Sequence, residues 1–371
     1  MQNTFGGIFQ RMPVLVTGHT GFKGSWLSIW LNELGVRVVG YSLAPPTAPS
    51  NFEASRLSQY IVDIRSDIRD LDRLCRVIEE YKPEVVFHLA AQPIVRESYT
   101  NPKDTFDVNV GGTVNVLEAI RVTSSVKAAV CITSDKCYQN QEWVWGYREN
   151  DNLGGRDPYS ASKAMAELAI LAYRQSFFTA DGHEQHPVAV ASARAGNVVG
   201  GGDWGKDRLA VDCVQALMEG QTISLRNPKS VRPWQFVLEP LSGYLWLAAK
   251  LLQEGGQFAE AWNFGPPERL AVSVQDLAQK LIQLWGAGEW EDVSSDQAPH
   301  ESGLLSLSWE KAANLLGWRP TYTWQEALTE TVHWFKKYQA SGSDGDMYST
   351  CVEQIEHYVE RAREAKVAWA L

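Results

Sequence analysis

An apolar run, Ala128 to Ile132, ends in two hydroxyls, a carboxylate and an amine: Thr133, Ser134, Asp135 and Lys136. A hydroxyl, an acid and a base in a row can hold an oxygen, deliver a proton and remove one. A polar turn uses the same residue types, and adjacent opposite charges need carry no function. A second pair of residues bears on the choice. "YSASK" sets Tyr159 and Lys163 four apart at the start of a helical stretch, so both project from one face. An ammonium beside a phenol favours the phenolate and lowers its pKa, which lets the phenol take a proton from an alcohol near neutral pH. A surface Tyr–Lys pair is the plain alternative.

A second constellation, with the marks of a dinucleotide site, lies near the N-terminus. Gly18, Gly21 and Gly24 form G-x-x-G-x-x-G between a strand, Val14 to Val16, and a helix, Ser25 to Leu34. Glycine lets the backbone turn sharply and approach a pyrophosphate, and the helix N-terminus offers free N–H groups. The strand before and the helix after give the triplet its context. The second strand, Val36 to Tyr41, leads to Ser42 and Leu43 where an NAD site normally has Asp or Glu. No Arg follows to clamp a 2′-phosphate, so NAD is preferred and NADP stays open. His19 is bulky for its place and either contacts phosphate or packs. Asp67, with Ile68, precedes a helix, as a cap or as an adenine contact.

These residues need a scaffold, and the pattern supplies one. Strands at Val85 to Leu89, Ala128 to Ile132 and Val188 to Ala193 alternate with helices at Asp70 to Lys82, Asn109 to Val122 and Ser160 to Tyr173. Continuous apolar strands alternating with helices predict an α/β, Rossmann-type, doubly wound parallel sheet covered on both faces. After Asn197 the rhythm breaks. Short strands near Ile223 to Leu225 and Ala261 to Phe264 mix with helices at Leu209 to Met218, Leu241 to Leu252, Val274 to Leu284 and Thr350 to Ala365. The expected division is a dinucleotide-binding domain, 1–197 plus about 235–265, and a smaller interleaved α/β lobe, 198–234 plus about 266–371.

Bulk properties exclude other classes. The 371 residues are 44% hydrophobic and 21% charged, a globular composition. A net charge of −10 argues against broad nucleic-acid binding but leaves room for a local basic pocket. Five scattered cysteines (Cys75, Cys131, Cys137, Cys213, Cys351) lack disulfide or zinc spacing, which predicts free thiols and no metal. No segment reads as a signal peptide or bilayer span, so a cytoplasmic protein is expected. Most of the 15 tryptophans belong to the core.

The glycine loop, "HLAAQ" (His88 to Gln92), "NVGGT" (Asn109 to Thr113), the Thr133–Ser134 strand end and Tyr159/Lys163 resemble the extended short-chain dehydrogenase/reductase superfamily, from about Pro13 to Tyr322. Within it, "TGHTGFKGSWL", "SDKCY", "RAGNVVGGGDW" and "RPWQFVLEPL" resemble the CDP-glucose branch of the nucleotide-sugar 4,6-dehydratases. The resemblance implies that Gly18, Gly21, Phe22, Lys23 and Gly24 hold the pyrophosphate of NAD. It implies Asp67 and Ile68 at the adenine, and Leu89, Ala90 and Ala91 along the groove. His19, Ser42, Asn109 and Thr133 join the cofactor-facing set. Ser134, Tyr159 and Lys163 become the hydride-transfer triad. Arg96, Asn197, Arg208, Arg226 and Arg232 become the grip on a nucleotide sugar, with CDP-glucose expected.

The implied reaction explains Asp135 and Lys136. Oxidation at C4 of a hexose makes the C5 hydrogen acidic, so one group can remove it while another protonates the leaving 6-hydroxyl. Asp135 is expected as that acid and Lys136 as the base, where related dTDP-glucose enzymes carry Asp-Glu. A lysine base must be neutral, and burial beside Lys163 would favour that. Cys137 is the other candidate base, with its side chain expected to point away. A 4-epimerase of the same fold has no use for an acid/base pair here, and a non-catalytic NAD sensor has no use for the triad. The resemblance also implies a homodimer or homotetramer built on Asn109 to Val122 and Ser160 to Tyr173. It implies a role in deoxysugar supply for a bacterial surface polysaccharide such as O-antigen lipopolysaccharide.

Overall fold

The computed structural model describes residues 1, 3–178, 188–267, 272–294, 305–342 and 345–371. Its centre is a parallel sheet of seven strands: β1 (Pro13–Thr17), β2 (Arg37–Ser42), β3 (Val62–Arg65), β4 (Val85–His88), β5 (Ala128–Ile132), β6 (Ala189–Ala195) and an edge strand, Ala261–Phe264. From that edge the order is β6, β5, β4, β1, β2, β3. The order reverses at the β1–β4 junction, where a doubly wound sheet opens a crevice beyond its C-terminal edge. Register brings the ends of β1, β4 and β5 to nearly one level: Thr17 pairs with His88 and His88 with Cys131, while β6, paired at Ser192, runs on to Ala195. Gly18, Leu89 and Thr133 therefore leave the sheet at the same edge.

The apolar strands are explained by two cores. Val14, Val16, Val85, Phe87, Ala128 and Val130 face one, while Leu15, Val86, Ala129 and Cys131 face the other. Alternate residues of a strand point to opposite faces, so a sheet covered on both sides must be apolar throughout.

The helices begin where their caps allow. Asp157 caps the helix Pro158–Ser176, accepting from Ser160 N at 2.9 Å, with proline in its first turn. That start is two residues earlier than the spacing predicts. Asp70, not Asp67, caps the helix Leu71–Tyr81, accepting from Arg73 N at 2.9 Å. The sequence reading lacks β3, whose alternating Asp63 and Arg65 conceal a short strand, and the helix Trp324–Ser341. The latter opens with a capping box, Thr323 and Glu326, which was the available signal.

In the C-terminal half, the helix Leu238–Glu254 carries a fully buried carboxylate. Glu239 accepts from Thr321 N at 3.0 Å, Tyr322 N at 2.6 Å and the Tyr358 hydroxyl at 2.8 Å. It thereby ties this helix to the segment before Trp324 and to the last long helix, Tyr348–Glu364. Burial outweighs these donors and pushes the carboxyl from 4.5 up to about 7. The folded chain thus binds a proton that the unfolded chain releases. This residue's contribution is fully present below pH 4.5 and is lost as pH rises through about 7. In denaturant titrations across pH, Glu239→Gln should gain stability relative to wild type as pH rises from 4.5 to about 7, by up to about 3 kcal/mol, and the gain should level off above that. A pH-independent difference would contradict the assignment.

Candidate active site

The end of β5 is bent into a single tight turn. Ser134 is extended and caps the one-turn helix Asp135–Cys137. Its Oγ accepts from Lys136 N at 3.2 Å and donates to Asp135 Oδ1 at 2.9 Å. The Tyr159 phenol lies beside the same hydroxyl. Ser134, Asp135, Tyr159 and Lys163 are 7%, 6%, 7% and 5% exposed, so bulk water is kept from all four. Asp135 lies over Gly196, where an added Cβ would come within 3.3 Å of Oδ2.

Burial governs the charges. The Lys163 ammonium is pulled down to about 8 by desolvation, opposed by the Glu167 carboxylate. The Tyr159 phenol is pushed up to about 12 by desolvation and by the nearby Asp135 carboxylate, against the Ser134 hydroxyl and the Arg208 charge. This reverses the expectation that Lys163 lowers the phenol: removal from water dominates, and Lys163 is not among the main influences on it. Lys23, expected at the pyrophosphate, also lies among the catalytic charges. Its ammonium feels Arg208, Asp135, Lys163 and Asp203, and desolvation with the two like charges brings it down to about 8. A lysine inside a glycine loop was the signal. Lys136 is half-buried, and its ammonium has no ion-pair partner among the described residues. Cys137 points into a satellite core with Tyr138, Tyr147, Ala164 and Leu307, and burial pushes its thiol well up. It is no base.

The groove beside this turn fits a dinucleotide. Gly18 has φ +77°, and a Cβ there would meet Ala90 N at 2.7 Å. A Cβ on Gly24 would meet Gly18 O at 2.1 Å. No side chain caps the helix Phe22–Glu33 at Gly21, so its first N–H groups stay open toward the loop. Behind the loop, Thr17 Oγ1 accepts from Leu89 N and Ala90 N, both at 3.2 Å, so its own proton goes to His88 Nδ1 at 2.8 Å. His88 Nε2–H then faces Thr113 Oγ1 at 3.1 Å. Burial and the Lys163 charge bring this imidazole down to about 3, so it is neutral.

Several expected cofactor residues turn out to position others. Asn109 accepts from Gln92 N at 2.8 Å and donates to Gln92 O at 3.0 Å and Ser162 Oγ at 2.9 Å, which uses both its amide protons. The His19 ring is fully buried against Gly40 and bonded to Asp63 at 2.8 Å, so packing is the alternative realised. Ser42 Oγ meets Thr20 Oγ1 at 2.9 Å. The statement that no Arg follows β2 needs correcting in space: β3 brings Arg65 to Leu43 O at 2.9 Å, where Asp63 at 2.9 Å neutralises it. Asp67 is held by Arg69, and Ile68 packs on Gly112. Thr133 Oγ1 donates to Glu167.

On the substrate side, Arg208 pairs with Asp203 at 2.5 Å and Arg96 with Asp207 at 2.8 Å. Arg226 and Arg96 both act on Asp212. Arg232 lies on the short strand Val231–Arg232 and donates to Val231 O, and Asn197 opens the strand Asn197–Val199. Asp203, in "GGGDW", was not singled out from the sequence.

Residues 15–331 match the family described as GDP-mannose 4,6 dehydratase. The chain belongs to that family. Its members are extended short-chain dehydrogenase/reductases, and the sheet order and the Tyr–Lys helix agree with that. The chain is 51% identical to the CDP-glucose 4,6-dehydratase of Salmonella typhimurium, covering 88% of this chain and 91% of that one. It is 27% identical to the UDP-glucose 4-epimerase of Mycolicibacterium smegmatis, over 88% and 99%. Among solved structures, the dTDP-glucose 4,6-dehydratase of Bacillus anthracis in complex with NAD aligns with a TM-score of 0.73 at 25% identity, over 89% and 98%. Use of a nicotinamide dinucleotide is a property of this family.

A cationic Lys163 with a midpoint of about 8 sets a pH limit. The rate of C4 hydride transfer should fall as pH rises through about 8, because the ammonium is lost. Lys163→Met should lower that rate at every pH and erase the basic limb; a limb that persists would exclude Lys163 as its source.

Proposed function

We propose that the protein is a lyase that converts CDP-D-glucose to CDP-4-dehydro-6-deoxy-D-glucose and water. The observation that carries this reading is the direct bond between Ser134 and Asp135 at 2.9 Å. It sets an elimination acid beside the hydroxyl pair that serves oxidation. The 51% identity to a CDP-glucose 4,6-dehydratase supports the substrate. A 4-epimerase would need no acid at that position, and the epimerase relative is far more distant.

NAD, held by Gly18, Gly21, Phe22, Lys23 and Gly24, supplies a hydride acceptor for C4, later the donor to C6, and a pyridinium charge that favours a phenolate. Tyr159 takes the proton of the 4-hydroxyl, and Ser134 holds that oxygen. Lys163 fixes the dinucleotide and balances charge. Once C4 is a ketone, Lys136 as the neutral amine removes the C5 proton, and Asp135, carrying the proton released from the 4-hydroxyl, protonates the departing 6-hydroxyl; Lys136 then returns its proton to C5 as C6 is reduced. A half-buried Lys136 side chain with no ion-pair partner among the described residues is compatible with a neutral amine in the base role. Asn197, Arg208, Arg226, Arg232 and Arg96 hold the nucleotide. The protein acts in the cytoplasm, upstream of deoxysugar incorporation into O-antigen lipopolysaccharide. It assembles as a homodimer or homotetramer; Met165 and Leu168, 46% and 53% exposed on the Pro158–Ser176 helix, support that surface.

Incubation with CDP-glucose should give an alkali-labile 4-keto-6-deoxy product without net formation of reduced nicotinamide. Steady accumulation of reduced cofactor would contradict the closed redox cycle. UDP-, dTDP- and GDP-glucose should compete poorly.

The two elimination roles separate by mutation. Asp135→Asn should retain hydride transfer at C4 but lose water on the order of 100- to 10,000-fold more slowly. Lys136→Ala should abolish solvent exchange at C5, read by mass spectrometry in heavy water. Normal elimination by the first variant, or normal exchange by the second, removes that residue from its role.

A further inference from the structure

Beneath the catalytic turn lies a buried polar network that the chemistry above leaves unused. Glu167 and Arg194, both 3% exposed, form an ion pair at 2.7 Å. The Glu167 carboxylate also accepts from Thr133 Oγ1, and from Ser192 Oγ at 2.8 Å. Arg194 Nη1 donates to the Tyr138 hydroxyl at 2.6 Å and to Glu149 O at 3.1 Å. The Tyr138 hydroxyl donates onward to Asn263 Oδ1 at 2.8 Å. One connected set thus joins the helix Pro158–Ser176, the end of β5, β6, the edge strand Ala261–Phe264 and the loop after the turn.

Such a pair is a poor device for stability alone. Taking two charges out of water largely cancels their attraction, and apolar replacements often do as well or better. Its location gives it another use. Tyr159, Lys163 and Glu167 are spaced by four, so they share one helical face. Thr133 immediately precedes Ser134, and Tyr138 immediately follows the turn Asp135–Cys137. The network therefore holds the turn at both ends and the helix at its Tyr–Lys face.

We infer that Glu167, anchored by Arg194, is a positioning residue that registers the Tyr159–Lys163 face against the Ser134–Cys137 turn and supplies the counter-charge of Lys163. The groups facing Lys163 are Glu167 on its own helix, Cys137 from the turn, neutral His88 from β4 and cationic Lys23 from the glycine loop. Only Glu167 among them is an anion at neutral pH, since burial keeps the Cys137 thiol protonated and the Arg194 and hydroxyl contacts hold Glu167 ionised. Without it the ammonium faces burial and a like charge alone.

The inference rests on the redox reading of Tyr159 and Lys163, so its test has one arm that needs no substrate. In the full-length chain saturated with NAD and carrying lysine labelled with carbon-13 at Cε, the NMR shift of Lys163, assigned by its loss in Lys163→Met, gives its titration midpoint. Glu167→Gln should lower that midpoint by about one pH unit. The double variant Glu167→Gln with Arg194→Met removes both charges, relieves the unpaired guanidinium and should keep the lowered midpoint with near-wild-type thermal stability. Turnover on CDP-glucose should follow: the basic limb moves down in parallel, and kcat falls about 10- to 100-fold with KM within about twofold. A midpoint unchanged in the double variant overturns the inference, as does kcat reduced equally at every pH. Failure of both variants to fold also overturns it, since the pair is then needed for the fold itself. A shifted midpoint in a wild-type background that does not turn over CDP-glucose would sink the functional reading and leave the inference standing.

Discussion

The whole site depends on where one helix starts. Asp157 accepts from Ser160 N at 2.9 Å and from Ser160 Oγ at 2.6 Å, and Pro158 cannot extend the helix backward. That fixes the rotational phase of nineteen residues, Pro158–Ser176. A start one residue later would turn the face by about 100° and carry Tyr159, Lys163 and Glu167 away from β5 together. Strand register does the complementary work. Because β1, β4 and β5 end within one residue of the same level, the glycine loop, the Leu89–Ala91 segment and the Ser134 turn converge without long connections.

Burial then sets the chemistry that convergence allows. A phenol up at about 12 and two lysines down at about 8 are poised differently from their counterparts in water. A neutral phenol can hydrogen-bond a substrate hydroxyl before any proton moves. Lysines near 8 can exchange protons without a large free-energy step. The same desolvation that makes the charged forms costly strengthens each remaining interaction between them.

Much of this was legible in the sequence because it is written in local patterns. Glycine spacing, apolar strands and the Tyr–Lys interval are set by backbone geometry, and β5 ends at the expected residue. What was hidden is set by neighbours distant in the chain. Arg65 reaches the β2 end only because β3 pairs with β2, and its alternating charges masked that strand. Asn109 looked like a cofactor residue until its partners, Gln92 and Ser162, were placed around it. The direction of the Tyr159 shift was misread because one neighbouring cation is easy to see in a sequence, whereas the volume of protein excluding water is not. The Glu167–Arg194 pair has no local signature, since 27 residues separate its members.

The arginines on the substrate side carry a consequence for selectivity. Arg208 and Arg96 are each already matched to a carboxylate, Asp203 and Asp207. On the proposed reading, in which these arginines hold the nucleotide, an incoming diphosphate would meet paired cations and would have to displace two aspartates. A ligand with a single anionic group gains little by displacing one of them, while a ligand that engages both arginines at once recovers both losses in one event. On that reading the site would favour a ligand long enough to engage both pairs over a small single anion.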